Sequence, residues 1–259
     1  MTLIITHLSR FGIIHASDSN LTSSDQDAGE VTKTYKICFL KGGLTTAGSY
    51  HVNNIPMPEW MTDFIDKQSN ITGLSLRDFS YNLKHALQET MLKEEKENGS
   101  MIHIAGYVEE HGVYHPEFWF ISNVHGINPK TGEYEDIDEN FDISEDFWNR
   151  DYRNNNLKET FQDPNQHSYQ IYVNGFAPGR IGFNIIRTQL DRFFSSFWNV
   201  RDWKFRPPKT LEESKLYVEI YMQVINSLFI MSDYNARYIG GKTQTLLIPQ
   251  PENIVDKKT

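Results

Sequence analysis

Cysteine is nearly absent from this 259-residue chain: a single residue, Cys38, excludes an internal disulfide framework and fits a reducing compartment. Long apolar runs are missing too, so no segment predicts a membrane-spanning helix. The opening Met1-Thr2-Leu3-Ile4-Ile5-Thr6 is apolar too briefly for a secretory leader and has no basic cluster before it. Together these absences predict a cytoplasmic protein with no membrane partner. Positive charge is in deficit, with a formal net charge of −9, and a nucleic-acid partner would want a basic stripe. Gly42-Gly43 and Gly240-Gly241 lack the Lys-Ser/Thr or strand–helix context of a phosphate loop. His103, His111, His115 and His125 show no tight ligand spacing, so they read as satisfied or solvent-facing rather than metal-binding.

What is present reads first as strands. Leu3–Leu8 and Ile13–Ser17 are short and apolar and flank Arg10-Phe11-Gly12, which predicts a hairpin. A third strand is expected over Tyr35–Leu40, with Cys38 as a core thiol, and a fourth over Leu44–Ala47, ending at Gly48 where a helical pattern begins. Two helices follow, one over roughly 52–67 and one from Ser75 to about Glu97, the second with Asp78 as a capping cue. Strands return over Met101–Glu109, Glu117–Asn123 and Tyr169–Val173. Between them, about 134–168, the chain is acidic and Asn-rich and is expected to be an insertion or loop. A helix is predicted over Gly182–Phe194, and Phe193–Pro208 gathers aromatics that read as packing under a loop. Thr210 and Glu213 open a long apolar helix with the pattern of a capping box, and Thr243–Ile248 is a last strand before a tail expected to be disordered over about 250–259. One domain over 1–259, of α+β class with antiparallel sheets between helix layers, would bury these faces.

The chemistry centres on Thr2. Once Met1 is removed, a terminal threonine carries a hydroxyl nucleophile and an α-amine, whose ordinary pKa of about 8 lets it accept the hydroxyl proton. Such a residue needs a cation beside it, a carboxylate to hold that cation, and backbone N–H groups for the oxyanion. The hairpin brings Asp18 back beside the N-terminus, Lys33 precedes the third strand, and Gly48 closes the fourth. Lys36 is the alternative cation, on the opposite strand face from Lys33.

Five segments in order carry a family resemblance. Gly12-Ile13-Ile14-His15-Ala16-Ser17-Asp18-Ser19, Lys33-Thr34-Tyr35-Lys36-Ile37, Thr45-Thr46-Ala47-Gly48-Ser49, Ile104-Ala105-Gly106-Tyr107 and the stretch from Ile239 to Ile248 resemble the proteasome β-subunits, which are N-terminal-nucleophile (Ntn) hydrolases. The resemblance spans about residues 2–125 and 210–248. It implies a four-layer αββα sandwich, with Thr2 as nucleophile and base, Lys33 as electrostatic partner, Asp18 as its anchor and the Gly48 N–H as oxyanion donor. Ser19 and Asp233 match supporting positions, while Asn174-Gly175-Phe176 stands where the family has Gly-Ser-Gly. The implied function is a threonine peptidase acting on protein or peptide substrates in a homo-oligomeric ring, supplied by an ATP-dependent unfoldase and needing no cofactor. Its alternatives are a catalytically silent ring subunit that scaffolds or binds, and an Ntn amidase for a small amide.

Overall fold

The computed structural model describes residues 2–23, 26–128, 134–145, 169–175, 208–231 and 239–252, with isolated positions at 161, 163, 188, 189, 192 and 196. Strands β1 (Leu3–Ser9) and β2 (Gly12–Asp18) form the expected hairpin, in register Ile4↔Ser17. A small polar hairpin of β3 (Asn20–Ser23) and β4 (Gln26–Glu30) follows, then β5 (Thr34–Ile37) and β6 (Gly42–Gly48). Strands β7 (His51–Val52) and β8 (Ile55–Pro56) lead into helices α1 (Met57–Gln68), α2 (Leu76–Thr90) and α3 (Lys93–Lys96). The chain continues through β9 (Ser100–Glu110), β10 (Val113–Ile127), β11 (Tyr134–Glu145), β12 (Tyr169–Gly175), helix α4 (Leu211–Ile230) and β13 (Thr243–Pro249).

Two larger sheets result, ordered β12-β1-β2-β13 and β11-β10-β9-β6-β5, and every pairing in them is antiparallel. All residues of β1 and β2 are buried, because both faces of that sheet are covered. The alternation of side chains divides them. Leu3, Ile5, Ile14 and Ala16 pack with Val218, Tyr221, Met222 and Ile225 of α4. Ile4, Leu8 and Ile13 turn the other way, against Ala47 and Met101 or against Ala105, Tyr107 and Phe118 of the second sheet. On its far face the second sheet presents Ile102, Ile104 and Trp119 to Trp60 and Phe64 of α1 and to Phe79, Leu83 and Leu87 of α2. The chain is thus α+β with antiparallel sheets, and among its described residues no helix is long and apolar enough to cross a membrane.

Several local expectations are corrected. The first helix starts at Met57 rather than near Val52, because Asn53 and Asn54 take left-handed conformations (φ 52° and 64°) and turn the chain into a hairpin first. Gly48 therefore feeds a short hairpin before the helix, and that hairpin returns the first N–H of α1, at Met57, to the Tyr50 carbonyl at 2.6 Å. Ser75 caps α2 with Asp78 in a reciprocal capping box, as expected, but the helix stops at Thr90 rather than Glu97. Glu95 is responsible: its carboxylate accepts from the N–H groups of Leu92, Asn53 and Asn54, at 2.9, 2.7 and 2.7 Å, and draws the chain out of the helix. The third strand ends at Ile37, and Cys38 lies exposed in the short 3-10 turn after it, not in the core. Thr210 caps α4 through the Glu213 N–H, whereas the Glu213 carboxylate reaches the N–H of Lys209 instead of completing the box. The first part of the acidic stretch is no loop but β11, paired along β10 with Phe141 buried. Apart from Phe161, which is buried, and Asp163, its remainder, the Phe193–Pro208 aromatics up to residue 207, most of the Gly182–Phe194 helix and the tail beyond 252 lie outside the described residues.

One buried group makes stability depend on pH. His15, between the sheets, is pushed down to about 3 by burial, against the opposing effect of the Ala105 and Gly43 carbonyls. The unfolded chain binds this proton below about pH 6.5 and the folded chain does not. Stability is therefore fully present above that pH and falls by about 1.4 kcal/mol per unit as the pH drops toward 3. Urea midpoints at pH 7, 6, 5 and 4 should show a shallower decline in His15→Gln than in the parent; equal slopes would remove His15 as the cause.

Candidate active site

Thr2 stands at the mouth of β1 and Asp18 ends β2, so the hairpin register that pairs Ile4 with Ser17 sets the carboxylate beside the N-terminal segment. Asp18 Oδ1 accepts the Leu3 N–H at 2.9 Å, and Oδ2 accepts the Gly240 N–H at 3.4 Å from the loop before β13. Lys33 arrives from a different direction. Its N–H donates to Gln244 Oε1 of β13 (2.9 Å) and its carbonyl accepts the Thr46 N–H of β6 (2.9 Å). The backbone of Lys33 is thereby tied to both sheets at once, and its side chain enters the seam between them.

There the Lys33 Nζ donates to Thr2 Oγ1 at 2.6 Å, to the Asn20 carbonyl at 2.6 Å and to Asp18 Oδ2 at 3.3 Å. Three acceptors match the three hydrogens of an ammonium; a neutral amine has only two to give. Thr2, Asp18 and Lys33 are each at most 6% exposed, so the ion pair is dry. Burial pulls the lysine below its ordinary value, and the Asp18 charge opposes that shift. Burial likewise pushes Asp18 upward, opposed by Lys33 and by the N–H groups of Leu3 and Gly240. A desolvated ammonium held against a hydroxyl is an arrangement that favours the alkoxide. Lys36, the alternative cation, is exposed and takes no part in these contacts.

Gly48 ends β6 at φ +109°, and an added Cβ would lie 2.1 Å from the Gly99 carbonyl oxygen, so only glycine fits. Its link to Thr2 is the packing of its neighbour Ala47 against Ile4. Ser19 is buried, but its hydroxyl accepts the Lys242 N–H at 2.8 Å; it braces the loop that carries Gly240 rather than reaching the hydroxyl of Thr2. Asp233 lies outside the described residues. Sequence reasoning missed the Asn20 carbonyl and Gln244, whose contributions are a backbone oxygen and a contact from the far end of the chain, and neither leaves a local signal in the sequence. Gly175 was marked only by its place in the Asn174-Gly175-Phe176 segment, not by the missing Cβ that lets it lie against Thr2.

Among the described residues no group of three His, Cys, Asp or Glu side chains could hold a metal ion. No protein-family model matches this sequence, and comparison with curated proteins finds no significant relative.

Proposed function

We propose that the protein is an N-terminal threonine hydrolase that cleaves peptide bonds, with the four-layer αββα architecture of the proteasome-like Ntn hydrolases. The observation that carries the reading is the buried Lys33 ammonium, 2.6 Å from Thr2 Oγ1 and anchored by Asp18. Removal of Met1 frees the Thr2 α-amine. That amine takes the hydroxyl proton as Oγ1 attacks the substrate carbonyl, while Lys33 stabilises the negative charge on Oγ1. In this reading the Gly48 N–H is the donor to the oxyanion. Collapse of the tetrahedral intermediate breaks the C–N bond, and the proton leaves with the amine product. Water, deprotonated by the same α-amine, then hydrolyses the Thr2 ester and restores the hydroxyl. In this reading the enzyme works in the cytoplasm as a homo-oligomeric ring fed with protein or peptide by an ATP-dependent unfoldase.

Intact-mass measurement before and after treatment with a β-lactone or epoxyketone probe tests the proposal, followed by fluorogenic peptides. The expected result is a chain lacking Met1 that gains a single adduct and cleaves peptide, with adduct and cleavage both absent in Thr2→Ala. A chain that keeps Met1 and never labels is the silent ring subunit instead. One that labels but cleaves no peptide points to a small amide as substrate.

A further inference from the structure

A chain of side-chain hydrogen bonds crosses from one sheet to the other along the strands that lead to Thr2. Asn174 of β12 lies 2.8 Å from His103 of β9, through Nδ2 and Nε2. His103 Nδ1 lies 3.0 Å from Thr6 Oγ1 of β1, and Thr6 Oγ1 lies 3.0 Å from His15 Nδ1 of β2. Thr6, His103 and His15 are fully buried, and Phe118 and Phe120 meet the His103 ring edge-on, which fixes its plane.

The chain has one consistent direction. An amide nitrogen only donates, so His103 Nε2 accepts from Asn174 and the neutral ring carries its hydrogen on Nδ1. That hydrogen goes to Thr6 Oγ1, whose single hydroxyl hydrogen is then free for His15 Nδ1. His15 is left with its hydrogen on Nε2, a buried nitrogen with no hydrogen-bond partner among the described residues. The upstream end matters because Asn174 pairs with Ile4, and the next residue, Gly175, pairs with Leu3 against the carbonyl of Thr2.

We infer that Asn174 is a positioning residue for Thr2, acting through His103 and Thr6 to lock the end of β12, and hence the backbone of Thr2, against the second sheet. The role rests on Thr2 being the nucleophile. Asn174→Leu keeps the volume and removes the donor. It should lower the maximal rate of Thr2 labelling by the β-lactone about tenfold or more, with the half-saturating probe concentration unchanged, because small displacements of a reacting group cost rate rather than binding. Thr6→Val should do the same, and Thr6→Ser, which restores the hydroxyl, should recover the rate. That pair keeps the test alive where Asn174→Leu fails to fold. Nitrogen-15 shifts of the imidazoles give a readout independent of activity: hydrogen on Nδ1 of His103 and on Nε2 of His15, with the His103 preference lost in Asn174→Leu. Parent-like labelling in both Asn174→Leu and Thr6→Val, or reversed tautomers, overturns the inference while leaving the nucleophile reading intact. A parent protein that lacks Met1 yet never labels overturns the nucleophile reading, and the positioning role goes with it.

Discussion

Lys33→Met should slow probe labelling of Thr2 by at least about 100-fold and lower folding stability by about 3–5 kcal/mol. The two effects have separate causes. Stability falls because the substitution strands the Asp18 carboxylate, buried at 3% exposure, with no counter-charge. Labelling falls because nothing else among the three Lys33 contacts is a cation beside Thr2 Oγ1. A double variant tells them apart. Adding Asp18→Asn removes the stranded charge, so Lys33→Met with Asp18→Asn should be more stable than Lys33→Met alone and should remain as unreactive. Recovery should be incomplete, since an amide at position 18 can still accept from Leu3 N–H but turns an N–H toward that of Gly240. Urea unfolding and labelling rates on the three variants decide it. Parent-like labelling in Lys33→Met would take the lysine out of the chemistry, and a double variant no steadier than the single would mean that Asp18 carries no charge in the fold.

The candidate site was legible in sequence to the extent that it depends on near neighbours. A hairpin around Arg10-Phe11-Gly12 returns the chain on itself, so Asp18 had to come back near Thr2, and it does. Lys33 could be placed only before a strand. What aims it into the seam is Gln244, 211 positions away in sequence, together with the Asn20 carbonyl, and neither contact is encoded near Lys33. The same limit explains the misplaced helix end at Thr90, where Glu95 binds N–H groups of Asn53 and Asn54 that local periodicity cannot see. The turn residues at 128–132 announce a short strand, but the length of β11, through Glu145, was hidden for a different reason. As the edge of its sheet it needs apolar residues on one face alone, and Phe141 and Ile143 are too few to outweigh the acids around them. Hairpin β3–β4 is short and mostly polar, with only Leu21 and Ala28 apolar, and shows no alternation to read. The roles assigned to Thr2, Lys33, Asp18 and Gly48 come from chemistry and resemblance, and they await the labelling experiment.

Gly175→Ala should disable the site through a single methyl group. Gly175 ends β12 at φ +111°, and a Cβ built there would lie 2.0 Å from the carbonyl oxygen of Thr2 and 2.9 Å from its carbonyl carbon. The obstacle is backbone, so no rotamer change relieves it. Either β12 parts from β1 at the Leu3↔Gly175 pair or the backbone of Thr2 moves. Both outcomes shift Oγ1 away from Lys33, and a displacement of about 1 Å is enough to cost roughly 100-fold in rate. The backbone strain adds a stability loss of about 1–3 kcal/mol. Gly73→Ala separates strain from contact: Gly73 also has positive φ (+74°), but a Cβ there meets nothing within 4 Å. Melting curves should show both variants destabilised, while labelling kinetics should show Thr2 unreactive in Gly175→Ala and unaffected in Gly73→Ala. If Gly175→Ala labels like the parent, the end of β12 does not set the position of Thr2, and the lysine contact must be held by β1 and β2 alone.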